Sequence, residues 1–407
     1  MKAGLISVGN ELLLGQQANT NMTWLGKELA EAGYPLHSEI TVSDSTLSIT
    51  DGLDALWHTH SVVITTGGLG PTIDDDITIA AVAAYFNKTL SFDEEIWQDI
   101  EARFQHRGIS TPNSNRKQAM VPENFSVLYN AYGTAPGLHY HSKGRHLFML
   151  PGVPHEMRAL VQNAVLPILR EAFPAQPVIM RNLHTADLPE SRIAEMTESV
   201  NMPPETNLAY LPQPGRVTLR VYGVNETGVA EGFALLNNIF RDWIWGYDDA
   251  TLETTIQTLC IKNKLTLGLA ESCTGGLAAA RLTEVPGASE YFVGGIVTYS
   301  NATKTRLCGV SAELLDQHGA VSEPVAKALA TGAADILATD LAGAVTGIAG
   351  PDGGTTEKPV GTVHIAVTFK GIIRHRQLKL TGSRNIIRQK SIDSLYLLII
   401  NMLKEYL

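Results

Sequence analysis

The stretch Leu265-Thr266-Leu267-Gly268-Leu269-Ala270-Glu271-Ser272-Cys273-Thr274-Gly275-Gly276 decides how the chain folds. An apolar run ends in Ser272-Cys273-Thr274 and two glycines, and Leu277-Ala278-Ala279-Ala280-Arg281-Leu282 follows with helix-forming residues. That order reads as strand, tight turn and helix. Glycines accept the φ angles of a sharp turn, and the free N–H groups of the new helix face whatever lies above it. A strand feeding straight into a helix belongs to an α/β architecture. Ser272 then has two readings: it caps the helix, or its hydroxyl, beside amide donors, is an acyl-transfer nucleophile. Downstream, Tyr299 and Lys304 supply a phenol and an amine that can activate it; a solvated helix residue is the plainer reading of Lys304.

The same grammar recurs outward along the chain. Short apolar runs at residues 5–8, 36–42, 61–66 and 147–150 alternate with helical periodicity over 19–32, 46–57 and 75–86. This predicts a mostly parallel sheet with helices on both faces over 1–173. Ala172-Phe173-Pro174-Ala175-Gln176-Pro177 reads as a linker. A small α+β connecting domain is expected over 178–248, its run 216–222 alternating as a half-exposed strand. A C-terminal α/β domain is expected over 251–407, with strands near 291–298, 341–346, 361–368 and 372–380. The apolar run 395–400 is too short to span a bilayer and reads as part of a helix packed on a sheet.

With 407 residues, 44% apolar and 18% charged, the composition is that of a soluble multi-domain protein. A net charge of -10 speaks against a general nucleic-acid surface, and no membrane segment is expected. Three cysteines without a CxxC pair exclude a zinc ribbon and point to a reducing, cytoplasmic setting.

Two further loops follow apolar strands in the first domain. Thr66-Gly67-Gly68-Leu69-Gly70-Pro71-Thr72 can approach a phosphate closely, and Asp74-Asp75-Asp76 stand where a helix starts. Those carboxylates either cap the helix or hold a divalent ion against a phosphate. Pro151-Gly152-Val153-Pro154-His155-Glu156 and Asn10-Glu11 end other strands, so three loops meet at the carboxyl edge of a parallel sheet. Asn115-Arg116-Lys117-Gln118 would add cationic and amide donors. His139, His141 and His146 fit a hairpin around Lys143-Gly144 better than a metal site.

Val8-Gly9-Asn10-Glu11-Leu12-Leu13-Leu14-Gly15-Gln16, Thr65 to Thr72, Asn115 to Ala119, Gly133-Thr134-Ala135-Pro136-Gly137 and Pro151 to Pro154 resemble the CinA (competence/damage-inducible) family. So do Ala270 to Gly276, Gly294 to Asn301 and Thr346-Gly347-Ile348-Ala349-Gly350-Pro351, and the resemblance covers essentially the whole chain. It implies a molybdopterin-binding-type domain, a small middle domain and a C-terminal amidase domain. It also implies two reactions of pyridine-nucleotide recycling. The last domain would hydrolyse nicotinamide mononucleotide (NMN) to nicotinate mononucleotide and ammonia. The first would hydrolyse the pyrophosphate of ADP-ribose with a divalent ion (Mg, Mn or Co), a monovalent cation being a further candidate.

By the resemblance, Ser272 is the nucleophile, Tyr299 and Lys304 activate it, and Thr346 binds the carboxamide or its oxyanion. Thr274, Gly275, Gly276, Asn301, Gly347 and Gly350 contact substrate, with Arg384 and Arg388, one helical turn apart, on its phosphate. Cys273 is the rival nucleophile, and this site needs no cofactor. In the first domain Asn10, Glu11, Gly67, Gly68, Gly70, Thr72, Asn115, Lys117, Gly152, Pro154 and Glu156 bind nucleotide, and Asp74 and Asp75 hold metal. Asn10 stands where an Asp is frequent and Asp76 where an apolar residue is usual, which puts that site's metal affinity in question. The alternatives are an amidase with a merely nucleotide-binding first domain, or a non-enzymatic competence-associated regulator. A homodimer, with no nucleic-acid or membrane partner, is expected.

Overall fold

Strand Ala3–Val8 is buried at every position, as a strand covered on both faces must be. The computed structural model describes residues 1–71 and 77–407, whose contacts gather into two units, Met1–Ile179 and Met180–Leu407. Among the described residues no helix is long and apolar enough to cross a membrane.

In the first unit six strands run in the order Leu36–Val42, Ala3–Val8, Val62–Thr66, Arg145–Leu150, Gly137–Ser142, Ser126–Leu128. The first four are parallel; the last two add antiparallel. Ile49, Leu53, Trp57 and Val82 cover one face, and Leu25, Leu29, Leu160 and Leu166 the other. Each such side chain contributes about 1.5–3 kcal/mol by leaving water. Helix Thr46–Trp57 starts where Ser45 Oγ accepts the Ser48 N–H at 3.2 Å, and Asn19 caps Thr20–Glu31 in the same way.

The expected hairpin is present: Lys143 and Gly144 both take positive φ, 51° and 74°, the geometry of a two-residue turn between twisted strands. His139 and His146 stack across it, hydrogen-bonded at 3.0 Å. Burial, then His146 and His141, lower His139 to about 4, so these rings are neutral packing plates. The helix expected over 75–86 is seen as Thr78–Tyr85. Thr72, Asp74, Asp75 and Asp76 lie outside the described residues. The proline-rich run 172–177 differs from a free linker. Gln176 N–H donates to Gly33 O and Val178 N–H to Ala30 O, both at 3.1 Å, tying it to the end of helix Thr20–Glu31.

The second unit holds two sheets. Thr206–Gln213, Arg216–Gly223, Ile179–Ala186 and Ile244–Tyr247 form one in that order, with Arg216–Gly223 alternating buried and half-buried as its sequence predicts. The other runs Phe292–Val297, Leu267–Glu271, Leu341–Gly347, Thr362–Phe369, Ile372–Lys379. Its first three strands are parallel. The fourth turns back antiparallel, because the loop 348–361 carries no helix with which to make a parallel crossover. The 23-residue helix Arg384–Tyr406 buries Leu395, Ile399 and Leu403 against this sheet. Trp245 joins the same core, and Lys404 Nζ donates to Ile244 O at 2.6 Å.

Candidate functional site

The strand Leu267–Glu271 is wholly buried and delivers Ser272 at its carboxyl end. Ser272 N–H still donates to Val345 O at 3.0 Å, so the serine is the last residue held by the sheet. The chain then turns: Gly275 N–H donates back to Ser272 O at 3.1 Å, and Gly275 and Gly276 take φ values of 60° and 91° that favour glycine. Gly276, Ala278 and Ala279 at the start of helix Leu277–Thr283 donate their N–H groups to the buried Glu271 carboxylate, at 3.0, 3.0 and 2.8 Å. The sequence reading passed over Glu271; a carboxylate just before a glycine turn was the available signal.

Lys304 stands at the centre of the site. Helix Asn301–Cys308 begins with a capping box between Ser300 and Thr303, and its Lys304 is only 1% exposed. Nζ lies 3.0 Å from Ser272 Oγ and donates to Thr298 O at 2.8 Å. No carboxylate pairs with it among the described residues, and burial pulls its pKa below the ordinary lysine value. A desolvated amine without a counter-charge is poised to be neutral, and a neutral amine can take the serine proton. The plain reading of Lys304 as a solvated helix residue is therefore excluded.

Cys273, the rival nucleophile, is buried, and that burial pushes its thiol up to about 11. It is held as the thiol, which is the unreactive form. Cys260 and Cys308 are likewise buried core residues.

The other expected residues gather around this pair with different duties. Tyr299 is 61% exposed, and its hydroxyl accepts from Arg384 Nη2 at 3.0 Å; no hydrogen bond joins it to Ser272 or Lys304. Thr346 Oγ1 donates its hydrogen to Ala320 O at 2.8 Å, so in this arrangement its lone pairs are what the hydroxyl offers a ligand. Arg384 Nη1 donates to Gly350 O and Arg388 Nη2 to Thr274 O, both at 2.6 Å, so both guanidiniums reach the loops of the site. Asn301 is exposed at the start of its helix, and Gly347 ends its strand. Among the described residues the N–H groups of Cys273 and Thr274 donate to no oxygen of the protein, and Thr274 Oγ1 is buried without a partner.

In the first unit, the carboxyl ends of the parallel strands enclose a cleft of about 270 Å³. Glu11, Gly67, Gly68, Gly70, Gly152 and Glu156 line it, as expected, joined by Asp44 and Thr134. A side chain on Gly67 would put its Cβ 2.3 Å from Val8 O, so only glycine lets these two strand ends meet. Pro154 lines an adjoining recess of about 90 Å³ with Glu11 and Asn21. Asn10 N–H donates to Asp44 Oδ2 at 2.7 Å.

In the run 115–118 the two amides are engaged within the protein. Asn115 Nδ2 donates to Gln118 Oε1 at 2.8 Å, and Gln118 Nε2 to Leu69 O at 3.1 Å, so these buried amides brace the glycine loop. Arg116 stacks on Phe92 and Trp97, 4.5 and 5.1 Å from the ring centroids, while Lys117 is exposed on the same turn. Asn130 has no motif to reveal it. Its amide accepts from Tyr132 and Gly133 N–H and donates to Ala135 O and Glu156 Oε2, shaping the wall of the cleft.

Glu11, Asp44 and Glu156 are the charged residues among the described lining, with no lysine or arginine beside them. Among the described residues no group of three or more His, Cys, Asp or Glu side chains is arranged to hold a metal ion. A hard ion shared between one or two carboxylates and a substrate phosphate suits such an oxygen-rich wall.

A family model described as "CinA C-terminal domain" matches residues 249–403, and one described as "Probable molybdopterin binding domain" matches residues 4–171. A "CinA-like protein" of Gemmatimonas aurantiaca is 41% identical over 405 residues, 96% of this chain and 94% of the relative. A "Putative competence-damage inducible protein" of Caldicellulosiruptor bescii is 40% identical over 97% of this chain and all of the relative.

Proposed function

The chain belongs to the CinA family, and from the geometry around Ser272 we propose that its C-terminal part hydrolyses the carboxamide of nicotinamide mononucleotide. The observation that carries this reading is the buried Lys304 Nζ, 3.0 Å from Ser272 Oγ and without a carboxylate partner among the described residues. Neutral Lys304 takes the serine proton as Oγ attacks the amide carbon. Negative charge develops on the carbonyl oxygen, and the N–H groups of Cys273 and Thr274 receive it. The proton passes from Lys304 to the departing nitrogen, which leaves as ammonia. Water then splits the acyl-serine into nicotinate mononucleotide and free Ser272. Arg384 and Arg388 exchange their carbonyl partners for the substrate phosphate, and Tyr299 steadies Arg384.

For the first unit we infer a nucleotide-diphosphate site in the carboxylate-walled cleft. A divalent ion there, drawing on Asp74 and Asp75 outside the described residues, would screen the phosphate charge; Glu11, Asp44 and Glu156 are the described carboxylates on that wall. Ammonia release from NMN by the full chain, Ser272→Ala and Cys273→Ala, with and without EDTA, tests the first reading. Turnover that survives EDTA and Cys273→Ala and vanishes in a folded Ser272→Ala supports it. A wild type without turnover, or loss through Cys273→Ala alone, refutes it. AMP release from ADP-ribose across a metal titration tests the second: turnover that rises with metal supports it, and none at any concentration leaves binding only.

A further inference from the structure

We propose that Glu271 is a positioning residue for this site, fixing with one residue both the turn that presents Ser272 and the seat of Lys304; the inference rests on Ser272 being the nucleophile. Glu271 is 1% exposed, yet among the described residues no lysine or arginine pairs with it; its carboxylate's partners are backbone N–H groups. Three such bonds to one carboxylate are strong and directional, and they set where helix Leu277–Thr283 begins relative to the strand end. Between strand and helix lie only five residues, Ser272 to Gly276, so clamping both ends of that span leaves Ser272 a narrow range of positions.

The main chain of the same residue reaches the base. Glu271 O accepts from Thr298 N–H at 2.7 Å and from Thr298 Oγ1 at 3.3 Å. Thr298 O in turn accepts from Lys304 Nζ. Nucleophile and base, 32 residues apart in the chain, are thus referred to a single residue through two short relays.

Glu271 touches no reacting atom in this scheme.

The test is the rate at which a small fluorophosphonate modifies the full chain, followed by intact mass, beside NMN turnover. In that reaction Ser272 Oγ forms a bond to phosphorus, fluoride leaves, and the hydroxyl proton goes to Lys304. Wild type should be labelled once and Ser272→Ala not at all. Glu271→Gln keeps the shape but swaps an acceptor for a donor facing N–H groups. It should lower both labelling and kcat at least tenfold, leave KM for NMN within about twofold, and keep the acid limb of the pH profile where Lys304 puts it. Glu271→Asp keeps the charge and should recover part of the loss, and it serves if Glu271→Gln does not fold. Labelling as fast as wild type in both variants overturns the proposal, as does a wild type that takes no label. Loss of the acid limb also overturns it, since Glu271 would then be the base itself. A wild type that is labelled yet releases no ammonia from NMN, with labelling lost in Glu271→Gln, keeps this inference and overturns only the substrate.

Discussion

The two candidate sites stand at the same place in similar sheets, the carboxyl ends of parallel strands, and handle charge in opposite ways. Around Ser272 the protein provides its own cations, two arginines, beside a desolvated amine, and the Glu271 carboxylate is held by backbone N–H groups. In the first unit the charged residues on the described wall of the cleft are all carboxylates, set among glycine loops. On the proposed reading the first kind of site acts on an anionic substrate alone, and the second takes a cation in with its ligand. The strand-end position fixes where chemistry happens, and the local charge inventory fixes which chemistry.

Ser272→Ala breaks the comparison hardest: ammonia release should fall by about 10⁴-fold or more, as when a nucleophile is removed from other serine hydrolases. ADP-ribose turnover should stay as it was in the same preparation. Lys304→Met comes next, with a loss of about 10²–10⁴-fold in kcat.

Lys304 also gives a pH signature. Its folded pKa lies below the unfolded lysine value, so activity is present above the folded value and lost as pH falls through it. Stability moves the same way, because the unfolded chain binds this proton more readily. Stability rises with pH between the lowered folded value and the unfolded one, and Lys304→Met should flatten that slope in denaturant titrations.

Arg384→Ala and Arg388→Ala should each raise KM for NMN by about tenfold to a hundredfold, with a smaller effect on an analogue lacking the phosphate. Gln118→Ala, which frees Leu69 O in the glycine loop, is the mildest. Nucleotide binding to the first unit, followed by calorimetry, should weaken several-fold while ammonia release is unchanged.

Much of this was legible before any coordinates. Strands such as Ala3–Val8 and Leu267–Glu271 are covered on both faces, so their apolar runs are nearly continuous and easy to find. Thr46–Trp57 follows its helical periodicity to the residue. Lys304 was placed only by resemblance, because its own helix is polar. Its burial comes from elsewhere: Gly332 lets the Glu323–Leu337 helix come so near that a Cβ there would meet Cys308 O at 1.9 Å. The bracing duties of Gln118, Asn130 and Glu271 are harder to read: Gln118 stands in a run that reads as ligand donors, and all three spend side-chain atoms on backbone groups, which carry no residue-type signal in a sequence.

The helix Arg384–Tyr406 also has a mechanical role. Its first turns carry the two arginines of the site. Five residues past Arg388, Asp393 receives Arg281 at 2.8 Å and Arg216, from the four-stranded sheet, at 2.9 Å. Near its end Lys404 holds Ile244 of that same sheet. A rod pinned at several points passes a pull at one end to the others. Occupancy of the arginines should therefore be read far from the ligand, as slower amide hydrogen exchange in the Arg216–Gly223 strand.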